Sequence, residues 1–175
     1  MSSNAKRLIS SLVLFLLLLG FDLGTKALAA SHLKGKAGIS LIPGVFELCY
    51  LENTGSAFGM MRGMKFILIA FAFLIVAACA IIILSLEGKW RKYRHLCLVL
   101  VLLAAGAAGN LYDRAFHGYV IDFLYFSLIN FPIFNVADIY VCVSCALLVA
   151  LLIFYYSDQD INEIFSDIKS FCRVR

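Results

Sequence analysis

The chain has 175 residues, 63% of them hydrophobic and only 15% charged, with a net charge of +4 and a mean hydropathy of +0.94. Water-soluble chains carry about 45–50% apolar and about 25% charged residues, so a soluble domain is excluded and a single integral membrane domain over 1–175 is expected. The basic excess is small and forms no stripe interleaved with aromatics, which argues against a nucleic-acid partner.

Four apolar runs follow in chain order, and they predict an all-α membrane protein with spans at roughly 8–30, 66–86, 96–116 and 136–156. A hydrocarbon core about 30 Å thick needs about 20 apolar residues in a helix. The third run, Leu96 to Leu111, reaches that length only by continuing through Tyr112 to Phe116. The first run has features of a cleaved signal peptide, with Lys6 and Arg7 ahead of an apolar stretch and Ala27-Leu28-Ala29 behind it. Asp22 and Lys26, however, stand where such a peptide is bland, so the run is expected to remain as a span.

Basic residues set the expected orientation. Lys6 and Arg7, then Lys89, Arg91, Lys92 and Arg94, then Lys169, Arg173 and Arg175 all fall on one side of a four-span arrangement. The positive-inside rule makes that side the cytoplasm, with both termini inside. Ser31 to Lys65 and Phe116 to Asn135 are then outside. In the first of these, Val45 to Leu51 has the composition of a strand and Asn53-Thr54-Gly55 reads as a turn. In the second, Tyr119 to Phe134 is rich in aromatics, as expected of chain lying in a membrane interface.

The cysteines, Cys49, Cys79, Cys97, Cys142, Cys145 and Cys172, imply no disulfide framework. Cys142 and Cys145 form a C-x-x-C inside an apolar helix, a poor place for a redox or metal pair. No His/Cys cluster offers a zinc site, so no metal and no other cofactor is expected. His32, His95 and His117 belong to separate loops, and no Ser-His-Asp set is visible. A Ser56–Lys65 pair is conceivable but weak.

The acids carry the stronger signal. Asp22, Asp113, Asp122 and Asp138 all fall at the outer ends of spans or just beyond them. Ionisable groups in a membrane are costly and imply function. Two carboxyls sharing a proton can hydrolyse a peptide bond, one taking a proton from water and the other giving one to the carbonyl. Spacing alone does not say which two acids pair. A proton relay or transporter is the rival reading, but such sites lie near the midplane, and the middles of all four runs are apolar. A non-catalytic assembly factor leaves the grouped acids unexplained.

Five segments narrow the choice: Asp22-Leu-Gly-Thr-Lys26, Asn53-Thr-Gly-Ser-Ala-Phe-Gly59, Gly106-Ala-Ala-Gly-Asn-Leu-Tyr-Asp-Arg114, Val120-Ile-Asp-Phe123 and Phe134-Asn-Val-Ala-Asp138. In these, and along nearly its whole length, the chain resembles the lipoprotein signal peptidases (signal peptidase II). The resemblance implies four transmembrane helices with a small extracytoplasmic β-cradle and a short amphipathic helix, in a bacterial inner membrane with the active site at its outer face. It implies catalysis by Asp122 and Asp138, and a substrate site lined by Asn53, Asn110, Arg114, Asn135 and Ala137. The implied partners are diacylglyceryl-modified prolipoproteins, cut before the lipidated cysteine, together with membrane lipid; no obligate protein partner is inferred.

The remaining polar residues read as supports. Asp22 and Lys26, at i and i+4, share a helix face and suit an ion pair. Asp113 suits orientation of a neighbour or loop. Arg114 suits backbone carbonyls or a lipid phosphate. Asn135, ahead of Val136, suits an N-cap. Gly55 belongs to the turn, and Gly106 and Gly109 suit close helix contact. The tail after Tyr156 gives no reading.

Overall fold

The computed structural model describes residues 3–55 and 64–173. Of the second motif, Ser56 to Gly59 lie outside the described residues, as does Arg175 of the tail. Among the described residues, four helices are long and apolar enough to cross a membrane. They are α1 (Ser3–Leu33), α2 (Lys65–Ser85), α3 (Trp90–Phe116) and α4 (Val136–Ala150), the last running on through a π-helical turn, Leu151–Tyr155. A short sheet stands at one end of the bundle, with β1 (Ile39–Ile42), β2 (Phe46–Asn53) and β3 (Val120–Tyr125) antiparallel in that order. A last helix, α5 (Asp158–Arg173), lies at the opposite end.

α3 is the enclosed helix: 56% of its apolar window is buried, against 11–17% for the other three. Its sequence explains this. Ala104, Ala105, Gly106, Ala107 and Gly109 are all buried and remove side-chain bulk along most of two turns. Without a hydrophobic force between helices in lipid, close approach of small residues is what lets dispersion hold a bundle. At Gly106 the approach is so close that a Cβ would stand 2.6 Å from the Ala137 carbonyl oxygen and 2.9 Å from Val141 Cγ2.

The expected strand at Val45–Leu51 is β2, displaced slightly to Phe46–Asn53. β3 was not expected as a strand. Its first four residues are buried, so the alternation that marks a half-exposed strand is missing. β2 and β3 pair with Leu51 opposite Asp122 and Asn53 opposite Val120. Ile121 and Phe123 pack against Ala29 and Leu33 at the end of α1, which seats the sheet on the bundle.

α3 begins six residues before its apolar run. The charged stretch Trp90–His95, read as loop, is helical, with a kink at Tyr93 (φ −106°, ψ 21°). Tyr93 is buried in the second core with Leu86, Leu96, Cys97, Tyr156 and Ile164. Outside the bundle, beyond β3, the described chain makes one 3-10 turn, Ser127–Ile129. The amphipathic helix among the described residues is α5, which buries Ile164 and opens with a capping box between Ser157 and Asp160.

Candidate active site

Four elements meet at the sheet end. Asn53 comes from the end of β2, Asp122 from β3, Asn110, Asp113 and Arg114 from the last turns of α3, and Asn135, Ala137 and Asp138 from the start of α4. Asp22 and Lys26 reach them from α1.

Local chemistry fixes each position. Asn135 is the N-cap of α4: its side-chain oxygen accepts from the Asp138 backbone N–H at 3.0 Å, and its own backbone N–H donates to Asp138 Oδ2 at 3.1 Å. This capping box holds Asp138 in the first helical turn, where the macrodipole favours a negative charge. Asn53 folds its turn by accepting from the Gly55 backbone N–H at 2.9 Å, which aims its amide nitrogen at Asp122 Oδ2, also 2.9 Å away.

Asp122 is 2% exposed, and both its oxygens accept: Oδ1 from Asn135 Nδ2 at 2.6 Å and Oδ2 from Asn53. Burial, and after it the charge of Asp138, raise its pKa from the ordinary 3.8 to about 7, against the opposing pull of the two asparagine N–H groups. Asp138 accepts from Asn110 Nδ2 at 2.8 Å. The two carboxyls are bridged by Asn135 and Asn110, whose amides are themselves joined at 3.2 Å.

Arg114 donates to the Gly55 carbonyl at 2.8 Å and, less directly, to its own helix at the Asn110 carbonyl, 3.3 Å. Its guanidinium, with Asn53, Asn110, Asp122 and Asp138, forms the polar floor of a cavity of about 500 Å3. The walls are apolar: Val120 and the segment Phe131–Phe134 on one side, Ile139, Val141 and Val143 of α4 on the other. Such a mixture suits a ligand that is mostly hydrocarbon with one polar point of attack.

Behind the floor, Lys26 is 1% exposed and lies 2.8 Å from Asp22 and 3.1 Å from Asp113. Asp22 accepts from the Ala137 backbone N–H at 2.8 Å, tying α1 to α4. It is wedged under Gly109, where any Cβ would collide with its Oδ2. Asp113 accepts from the Ile121 backbone N–H at 3.2 Å and so anchors β3 next to Asp122. Ala137 is fully buried and does not line the cavity. Sequence reading did not connect His117 to the site, yet its Nδ1 is 3.5 Å from Asp113 Oδ1. The i, i+4 spacing of the pair was the available signal.

A family model for signal peptidase (SPase) II matches residues 14–154 of the chain. The lipoprotein signal peptidase of Streptococcus thermophilus is 36% identical over 140 residues, 80% of this chain and 90% of that one. Its counterpart from Symbiobacterium thermophilum is 41% identical over 140 residues, 79% of this chain and 90% of that one. A bacterial membrane enzyme solved by the in meso method superposes with a TM-score of 0.71 at 27% identity, covering 82% of this chain and 87% of the other. With four apolar helices of spanning length, the chain is a multi-pass membrane protein.

Proposed function

Because the chain belongs to the signal peptidase II family, proteases that remove signal peptides from lipoproteins, we propose that it is an aspartic endopeptidase cutting diacylglyceryl-modified prolipoproteins just before the lipidated cysteine. The observation that carries the reading is the pair Asp122 and Asp138, bridged by Asn135 and Asn110 at the polar floor of an otherwise apolar cavity.

The division of labour follows from the surroundings. Asp122, raised to about 7, holds the shared proton, and Asp138, in the first turn of α4, carries the charge. Asp138 takes a proton from water as the water oxygen bonds to the scissile carbonyl carbon. Asp122 gives its proton to the carbonyl oxygen. The tetrahedral diol then collapses: the C–N bond breaks, the proton on Asp138 passes to the leaving amine of the cysteine, and a diol hydroxyl returns a proton to Asp122. In this reading Arg114 and Asn53 hold the substrate backbone, and the apolar walls hold signal peptide and acyl chain, each buried methylene contributing about 0.8 kcal/mol.

The test is an assay of purified protein in detergent with a lipidated precursor. Asp122→Asn and Asp138→Asn should each abolish release of the signal peptide, and the double variant should be little worse than either, since the pair acts as a unit. The precursor without its diacylglyceryl group should be processed far more slowly. Substantial turnover by either folded single variant would end the dyad assignment.

The orientation rests on charge. Lys6, Arg7, Lys89, Arg91, Lys92 and Arg94 lie at the end away from the sheet, so that end is cytoplasmic and the site faces outward. Reporters fused near Lys36 should read outside and after Trp90 inside; an outside signal at Trp90 would reverse the picture.

A further inference from the structure

The amides of Asn110 and Asn135 work in one direction only. Asn135 is fixed by a backbone group, because its oxygen accepts from the Asp138 N–H. Asn110 has no such anchor for its side chain. Its oxygen is the acceptor of two bonds, from Lys26 Nζ at 3.0 Å and from Asn135 Nδ2 at 3.2 Å, and its nitrogen is the donor to Asp138 Oδ1 at 2.8 Å. An amide's oxygen and nitrogen have nearly the same shape, so packing does not choose between the two orientations. Partners do. A flip would set the nitrogen against an ammonium and another amide nitrogen, and the oxygen against a carboxylate.

Lys26 is suited to make that choice. An ammonium has three donors and no acceptor. Three oxygens surround it within 3.1 Å, from Asp22, Asp113 and Asn110, and it is 1% exposed. The two aspartates pair with the buried ammonium, and the third direction goes to Asn110. A plain ion pair between α1 and α3 needs no third direction.

We propose that Lys26 is a positioning residue of the catalytic pair: held between Asp22 and Asp113, it locks the Asn110 amide with its nitrogen toward Asp138 and its oxygen toward Asn135. This rests on the reading of Asp122 and Asp138 as the dyad. Lys26 touches neither the cavity nor a reacting atom and acts through Asn110.

The test is a double-mutant cycle on the full chain in detergent, with kcat and KM measured separately on the lipidated precursor. One arm neutralises the triad as a unit, Asp22→Asn/Lys26→Met/Asp113→Asn, so that no buried charge is stranded and both backbone acceptors remain. The other arm is Asn110→Ala. The triad change should lower kcat by about 10- to 100-fold, the worth of one charge-assisted hydrogen bond, with KM little changed. In the Asn110→Ala background the same change should have almost no further effect on kcat. Equal losses in both backgrounds would overturn the proposal and leave Lys26 a structural ion pair. If the triple variant does not fold, Lys26→Arg replaces it in the cycle. It keeps the charge but cannot place three donors on one nitrogen, and its kcat loss should likewise depend on Asn110. Active Asp138→Asn protein would sink the dyad reading itself; inactive dyad variants with an additive cycle would reject only the role of Lys26.

Discussion

The two ends of the bundle use the same chemistry under opposite conditions. At the sheet end, Lys26 meets Asp22 and Asp113 at 2.8 and 3.1 Å with all three side chains no more than 2% exposed. At the other end, Lys89 and Lys92 meet Asp160, Glu163 and Asp167 at 2.5–2.8 Å with side chains 21–48% exposed. The distances are alike, so distance does not measure importance. In the buried triad every charge has lost its water, so each partner is needed and the arrangement is nearly unique. In the exposed cluster water replaces any lost partner, and several pairings coexist on the same lysines. The first can hold an active site to a single geometry. The second can only help a helix to lie down.

The sharpest way to break this contrast is to make the same change at each end. Asp22→Ala leaves Lys26 with Asp113 as its one carboxylate partner, beside the Asn110 amide oxygen, and leaves the Ala137 N–H without its acceptor. The expected cost is about 3–5 kcal/mol, as for other buried pairs broken from one side, with loss of activity as α1 and α4 lose register. Asp160→Ala, with Glu163 still beside Lys92, should leave activity untouched. Denaturation in detergent followed by assay decides it; equal stability of the two variants would show that burial is not what separates the clusters.

A smaller effect should appear in the pH profile. In the proposed mechanism Asp122 is the acid and must be protonated to act, and its pKa is raised to about 7. A raised carboxyl is neutral below that value and ionised above it, so kcat should fall as pH rises through about 7, read as a property of the coupled pair. The Asn53 N–H favours the ionised form. Asn53→Ala should therefore carry the alkaline limb to higher pH, even as it slows turnover. A limb that stays in place, or moves down, would show that Asn53 does not act on Asp122.

The contrast also explains what was legible in the sequence. The four spans and the polar residues at their ends could be read because apolar length and charge placement are local properties. That Asp22, Asn110, Asp113, Asp122 and Asp138 share one end followed from topology alone. What they bond to did not. Lys26 to Asn110 is a contact across 84 residues, and Asn53 to Asp122 across 69; nothing in the intervening chain encodes either. β3 escaped because burial of Val120 to Phe123 erased its alternation. The first turn of α3 escaped because Arg91, Lys92 and Arg94 look like loop, although they only surround a buried Tyr93. α5 could have been found: Ser157 and Asp160 form a capping-box pattern, and Ile161, Ile164 and Ile168 follow at helical spacing.

The smallest effect is expected at α5 itself. Lys92 lies 2.6 Å from Asp160 and 2.5 Å from Glu163, and Lys89 lies 2.8 Å from Glu163 and 2.6 Å from Asp167. The hydrogen bond from Lys92 holds the Asp160 carboxyl down to about 2, and those from Lys89 and Lys92 do the same for Glu163, so these two acids are charged near neutral pH. Their attraction is still one between solvated groups, screened over about 10 Å at 0.1 M salt. The apolar face of α5 is not screened: Ile164 is buried, and Ile161 and Ile168 pack on the same core as Tyr93, Leu96 and Tyr156. Tyr93 also donates to Glu163 at 2.8 Å without any charge of its own. Lys89→Gln/Lys92→Gln should therefore leave kcat/KM unchanged, and any fall in melting temperature seen at low salt should shrink as salt is added. A loss of kcat that salt does not alter would mean that strain at this end travels along α3, past the kink at Tyr93, to Asn110, and that the two ends are one device rather than two.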